Sequence, residues 1–297
     1  YQEAAATARD IHGLWSVMPG TAIRSDVAIL YDYDSLWAFE AQPAYEANRR
    51  YADALLRFYV PLRTMGIPAD VVSVNADFNR YRVVVAPHLY VLPEQHARRL
   101  EAFVHGGGVL VTDVRTAVKD ASGLISMETP PGHLRAVLGI EIPEYESVAA
   151  DYPLHGCEAI EGEFTATGFA DWIVPREACV LARHGARHSR DYAAVTVNAF
   201  GTGAAYYVGT IVKEESFYRR LLHEACQRAG VRGGILSPEG VETIERQLGK
   251  RRLLFLINHT EQARKVTVPA GGVRLLGVDA GGPELELDPF GVEVLQL

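Results

Sequence analysis

A chain of 297 residues accommodates about two domains at ~150 residues each, enough for at least one well-buried core. Hydrophobic residues make up 48% and charged residues 22%, with a mean hydropathy of zero, a balance that excludes disorder and fibrous structure. The 29 basic and 37 acidic side chains leave a net charge of −8, and such a surface repels phosphate backbones, which speaks against nucleic-acid partners. No run approaches ~18 uninterrupted apolar residues, so no membrane span is expected. Cys157, Cys179 and Cys226 are odd in number and widely spaced. That excludes a zinc knuckle or a disulfide scaffold and fits a reducing cytosol.

Tyr1 to Met18 read as a helix, with Ile11, Leu14, Trp15 and Met18 at helical intervals. It opens without a cap or an initiator Met, as expected of a polypeptide cut from something longer, and nothing resembles a secretory signal. Pro19-Gly20 breaks it. Val27 to Leu30 is a buried strand, and Pro43 to Met65 a helix, with Pro61 implying a kink. Strands follow at Ala69–Val74 and Arg82–Pro87. The helix after Pro93 stops at Gly106-Gly107-Gly108, and Val109–Thr112 is a fourth strand. Continuous Val-rich runs indicate strands buried on both faces, so residues 26–113 predict a doubly wound α/β fold with a mostly parallel sheet.

Pro130 to Ile140 reads as a short helix, and Ile142 to Arg190 as short strands and a surface excursion. Ala193–Thr210 is a β-hairpin turning at Gly201-Thr202-Gly203, and Glu214–Ala229 an amphipathic helix. Beyond Gly233-Gly234 short alternating strands separated by Gly, Pro and Asn predict a small antiparallel β-domain.

Parallel α/β sheets bind ligands at the carboxyl ends of their strands. After the first strand, Tyr31-Asp32-Tyr33-Asp34-Ser35-Leu36-Trp37 mixes aromatics suited to stacking on a sugar with acids suited to its hydroxyls. The plainer alternative is an interface or lid loop. After the third strand, Ala86-Pro87-His88-Leu89-Tyr90 offers no thiol or hydroxyl at the bend where a strained nucleophile would sit. His88 alone reads more simply as a packed loop residue. The three glycines at 106–108 follow a helix, the wrong order for a phosphate cradle. His184 and His188 lie among arginines, a poor setting for a metal. With 37 acidic side chains, spacing alone identifies no catalytic carboxylate pair.

Several stretches together resemble the non-catalytic C-terminal half of glycoside hydrolase family 42 β-galactosidases: DVAILYDYDSLWAFEAQP, YRVVVAPHLYVLPEQHARRLEAFVHGGGVLVTD, PPGHLRAVLGIEI, VTVNAFGTGAAYYVGT and LLFLINHT. The most specific parts are Asp32, Asp34, Ser35 and Trp37 in the first and Ala86, Pro87, Leu89 and Tyr90 in the second. The resemblance implies a catalytic barrel elsewhere in the parent, and a trimerisation domain resembling class I glutamine amidotransferases but lacking their active site. It divides the chain into residues 1–24, a helix and linker left from the barrel, residues 25–232, the trimerisation domain, and residues 233–297, the C-terminal β-domain.

The family's acid/base glutamate directly follows an asparagine, and no Asn-Glu dipeptide occurs here. The expectation is therefore a cytoplasmic, non-catalytic oligomerisation and support region without cofactor or metal. Its partners would be further copies in a homotrimer and the barrel of a parent that hydrolyses terminal β-D-galactosides with retention. Trp37, Phe39, Tyr45 and Trp172 are the expected interface aromatics, and Tyr31, Asp32, Tyr33 and Asp34 the residues at an interface or near a sugar. Two alternatives stand beside it. One is a galactoside-binding accessory module using Tyr31, Tyr33 and Trp37. The other is a stand-alone amidotransferase-like hydrolase using Ser35 or Thr112.

Overall fold

The computed structural model describes residues 1–41, 51–277 and 283–297. It begins with α1 (Gln2–Leu14), β1 (Val27–Tyr31), α2 (Tyr33–Glu40), α3 (Tyr51–Thr64), β2 (Ala69–Ser73), β3 (Val83–Ala86), α4 (Glu94–His105) and β4 (Val109–Asp113). Next come α5 (Arg135–Leu138), β5 (Ile140–Gly156), β6 (Gly162–Pro175), β7 (Cys179–His184), β8 (Ala193–Phe200), β9 (Gly203–Val208), β10 (Thr210–Val212) and α6 (Glu215–Arg228). The chain ends with β11 (Val241–Leu248), β12 (Arg251–Asn258), β13 (Arg264–Thr267), β14 (Val273–Arg274), β15 (Glu284–Leu287) and β16 (Val292–Gln296). No described helix is long and apolar enough to cross a membrane.

The chain divides into two compact units, one of residues 26–61 and 69–232, the other of residues 1–25, 62–68 and 233–297. The larger holds a ten-stranded sheet ordered β10-β6-β5-β7-β8-β9-β4-β3-β1-β2. Strands β2, β1, β3, β4 and β9 run parallel. The Val-rich runs of β1, β3 and β4 are buried on both faces, as the sequence predicts. Ala28, Leu30, Val84, Leu110 and Tyr207 pack against Leu100, Phe103 and Val104 of α4 and Val137 and Leu138 of α5. Their neighbours Val27, Ile29, Val83, Val85, Val109 and Val111 are buried too.

The other half of the sheet overturns the expected doubly wound, mostly parallel fold and its likeness to glutamine amidotransferases. Strands β8, β7, β5, β6 and β10 pair antiparallel. A further pairing of Ile173 in β6 with Ala193 in β8 closes β5, β6, β8 and β7 into an antiparallel barrel. The segment read as short strands forms two long ones of 17 and 14 residues, with register shifts at Glu141/Glu144 and Val148/Tyr152. Bulges of this kind bend a strand and allow a ribbon to curl.

Local differences have local causes. Residues 31–37, read as a loop, continue into α2 because the Asp32 carboxylate accepts the Ser35 backbone N–H at 2.8 Å and caps the helix. The start of the helix predicted from Pro43, with Tyr45, lies outside the described residues. From Tyr51 it runs through Pro61 to Thr64. The hairpin at Gly201 is present, with Gly201 at φ 59°.

In the smaller unit, β11-β12-β16-β14 form one antiparallel sheet and β13-β15 a second pair. Leu254, Leu256, Val266, Leu285, Leu287 and Leu295 make one core between them. Leu253 and Val294 pack with Leu14 of α1 in another. The first helix thus supplies apolar surface to the strands at the opposite end of the chain.

Candidate functional site

The carboxyl end of β1 carries a ladder of aromatic rings. Tyr31 meets Tyr51 edge-on at 5.4 Å and Tyr33 at 5.0 Å, and Tyr33 lies 5.7 Å from Trp37. Tyr33 and Trp37 stand four residues apart on α2 and therefore share a face. They are 60% and 63% exposed, with Asp34 also at the surface. Beneath them, the Asp32 backbone N–H donates to the Tyr51 hydroxyl at 3.2 Å, and burial raises the pKa of that phenol. Phe39, expected at an interface, is wholly buried. It stacks on His88 at 4.8 Å and meets Tyr90 and Phe169 edge-on.

His88 occupies the bend after β3 in a left-handed conformation, φ 42°, which is strained for a residue with a side chain. Asp113 Oδ1, at the end of β4, accepts its backbone N–H at 2.5 Å and lies 3.0 Å from its Nδ1. Arg57 Nη2 of α3 lies 3.2 Å from Nε2. A guanidinium only donates, so Nε2 accepts and Nδ1 carries the hydrogen given to Asp113. Close in sequence to Asp113, the Arg115 backbone N–H donates to Asp171 at 2.8 Å, and the Tyr207 hydroxyl donates to the same carboxylate at 2.6 Å. Burial pushes the Asp171 carboxyl above the usual carboxylate range, against the pull of Arg115.

Trp172 belongs to a different group. It stacks on Tyr192 at 5.1 Å and donates its indole N–H to Glu146 at 3.4 Å. Glu146 also meets the Tyr152 hydroxyl at 3.2 Å and His188 Nε2 at 2.9 Å. Beneath them lies buried His184, with Nδ1 3.1 Å from the Tyr152 hydroxyl and Nε2 3.3 Å from the Asp171 carbonyl. Burial lowers its pKa to about 4. No ring contact among the described residues joins Trp172 to Tyr33 or Trp37.

These contacts limit the chemistry. The two hydroxyls considered as nucleophiles are engaged in structural bonds: Ser35 accepts from the Val91 N–H at 3.0 Å, and Thr112 donates to the Ala86 carbonyl at 2.8 Å. His88 and Asp113 are sealed from solvent. Burial pushes the Cys226 thiol up to about 12, which leaves it protonated and inert. What the surface does offer is exposed aromatic area on α2. Sequence reasoning found His88 but not its partners, because Arg57 and Asp113 are 31 and 25 residues away in sequence. A lone Arg and a lone Asp carry no signal of their own until α3 and β4 bring them to the two nitrogens of His88.

Residues 25–232 match the sequence profile of the β-galactosidase trimerisation domain, and residues 240–297 that of the β-galactosidase C-terminal domain. β-Galactosidase BgaP of Planococcus sp. (strain L4) is 28% identical over 99% of this chain and 44% of its own length. β-Galactosidase LacZ of Heyndrickxia coagulans is 31% identical over 94% of this chain and 42% of its own. The crystal structure of the β-galactosidase from Bacillus circulans sp. alkalophilus superposes with a TM-score of 0.94 at 26% identity, covering 99% of this chain and 44% of that one. Gan42B, a GH42 β-galactosidase, superposes with a TM-score of 0.91 at 28% identity, covering 100% and 43%. The chain therefore spans less than half the length of these relatives, and no (β/α)₈ barrel occurs among its described residues. By its profile matches and its fold, the chain belongs to the family 42 β-galactosidases, as their trimerisation and C-terminal domains.

Proposed function

We propose that this chain is the assembly and support region of a cytoplasmic β-galactosidase, and that it supplies no catalytic group of its own. Its parent would release terminal β-D-galactose with retention, on a barrel contributed by other polypeptide. The match of residues 25–232 to a trimerisation domain carries this reading. It is supported by the buried, structurally bonded state of Ser35, Thr112 and His88, and by three free thiols that fit a reducing compartment. Residues 1–24 would join the barrel to the trimerisation domain at 25–232, and residues 233–297 would close the chain. Tyr33, Asp34 and Trp37 would face a neighbouring subunit or the saccharide, with half-buried Tyr31 and the helix-capping Asp32 supporting them from beneath, and Trp172 would belong to an interface.

The purified chain should form a homotrimer by light scattering and leave a nitrophenyl β-galactoside intact. Turnover of that substrate by the chain alone would overturn the non-catalytic role. One observation favours a second reading, the exposed pair of Tyr33 and Trp37 beside Asp34, since aromatic faces and a carboxylate suit a sugar's two sides. Calorimetry with galactose distinguishes the two, because a surface used only for assembly gives no heat of binding with the sugar.

A further inference from the structure

Residues 118–126 fold into a small, well-tied hairpin. Asp120 N–H donates to the Leu124 carbonyl at 2.9 Å and Ser126 N–H to the Val118 carbonyl at 2.9 Å. The Asp120 carboxylate accepts from the Ser122 and Leu124 amides at 2.8 and 3.1 Å, and Gly123 turns the tip at φ 74°. The first arm is anchored by Lys119, whose amide donates to the Tyr90 carbonyl and whose carbonyl accepts from Leu92. This turn nevertheless presents Leu124, Ile125 and nearby Met127 to solvent, at 66%, 72% and 101% exposure. Neighbouring apolar side chains held outward by a built turn mark an interaction surface more than a frayed loop would.

The same unit also has a concavity. A pocket of about 420 Å³ opens between α3, β10 and the start of α6. Leu56, Val60, Ile211 and Tyr218 line it, with Lys213 and Glu215 among its polar residues. Leu56 and Val60 are 51% and 40% exposed. An apolar centre with a polar margin is the composition of a protein interface. Hairpin and pocket also share a core. Val118 at the base of the one and Ile211 in the wall of the other belong to a single buried cluster with Phe39, Tyr90 and Phe169.

A ring of three identical subunits requires two different surfaces on each copy, one fitting the other head to tail. We propose that the hairpin bearing Leu124, Ile125 and Met127 of one copy seats in the Leu56–Val60–Ile211–Tyr218 pocket of the next, and that this contact closes the trimer. The assignment rests on the self-association proposed above and names the surfaces that carry it.

The test uses the full chain with two double variants, Leu124→Asp/Ile125→Asp on the hairpin and Leu56→Asp/Val60→Asp in the pocket. All four residues are exposed, so each variant should keep the wild-type circular dichroism, with its melt lowered only by the lost assembly. Sedimentation should show each double variant dissociating at a concentration higher by about a hundredfold or more. Mixing the two leaves one intact hairpin and one intact pocket, so the mixture should form a 1:1 dimer and stop there. Variants that stay trimeric, or a mixture that stays monomeric, would overturn the hairpin-and-pocket assignment while leaving the self-association of the chain standing. A wild-type chain that is monomeric would overturn both.

Discussion

One carboxylate oxygen of Asp113 meets His88 twice, 2.5 Å from its backbone nitrogen and 3.0 Å from its Nδ1. The double contact holds a residue with a side chain in a conformation that otherwise favours glycine, and Arg57 completes the row from the other side of the ring. Removing the carboxylate leaves a buried amide and the bend unsupported. Asp113→Ala should therefore destabilise the protein by about 2–4 kcal/mol, because two buried donors of His88 lose their acceptor. Urea unfolding checks this. A loss below about 1 kcal/mol would mean that the bend holds without Asp113.

The aromatic residues near α2 divide into core and surface. Phe39→Ala empties a site between His88, Tyr90 and Phe169 and should cost about 3–5 kcal/mol. Trp37→Ala removes an exposed ring and should leave unfolding within about 0.5 kcal/mol of wild type. Parallel denaturation curves of the two variants separate these roles.

Asp32→Ala removes the helix cap at Ser35 N–H and should cost about 1 kcal/mol. Asp32→Asn retains a capping oxygen and should recover most of it. An equal loss in both variants would contradict capping as the role of Asp32.

His184 gives the protein a dependence on acid. Its ordinary pKa is 6.5, and burial holds it at about 4 in the folded chain. Between those values the unfolded chain binds a proton that the folded chain refuses. Stability from this residue is therefore complete above pH 6.5 and declines as pH falls towards 4, by a total on the order of 3 kcal/mol. Because carboxylates also titrate in this window, the check is a comparison of stability at pH 7 and at about pH 4.5 in wild type and His184→Gln. The variant should lose less than the wild type, and equal losses would contradict the assignment.

The parts of the fold legible in the sequence were those whose pattern is local. Val27–Leu30, Val83–Ala86 and Val109–Thr112 declare themselves because strands covered on both faces have no need of polar alternation. The antiparallel barrel did not. Between Pro143 and Pro153, β5 is exposed or half-buried at every position except Val148, so it offers no apolar period to read. Its closure by Ile173 and Ala193 is a pairing across 20 residues that composition does not encode. In the candidate site, the four-residue spacing of Tyr33 and Trp37 becomes legible once Asp32 is recognised as a cap. Phe39 was not distinguishable from them, because only the packing of His88 and Phe169 turns its face of α2 inward.

Sedimentation equilibrium of the purified chain over a wide concentration range decides whether it assembles by itself. The expected result is a single species at three times the 32.6 kDa chain mass, dissociating only on dilution. A chain that holds the monomer mass at high micromolar concentration would contradict it.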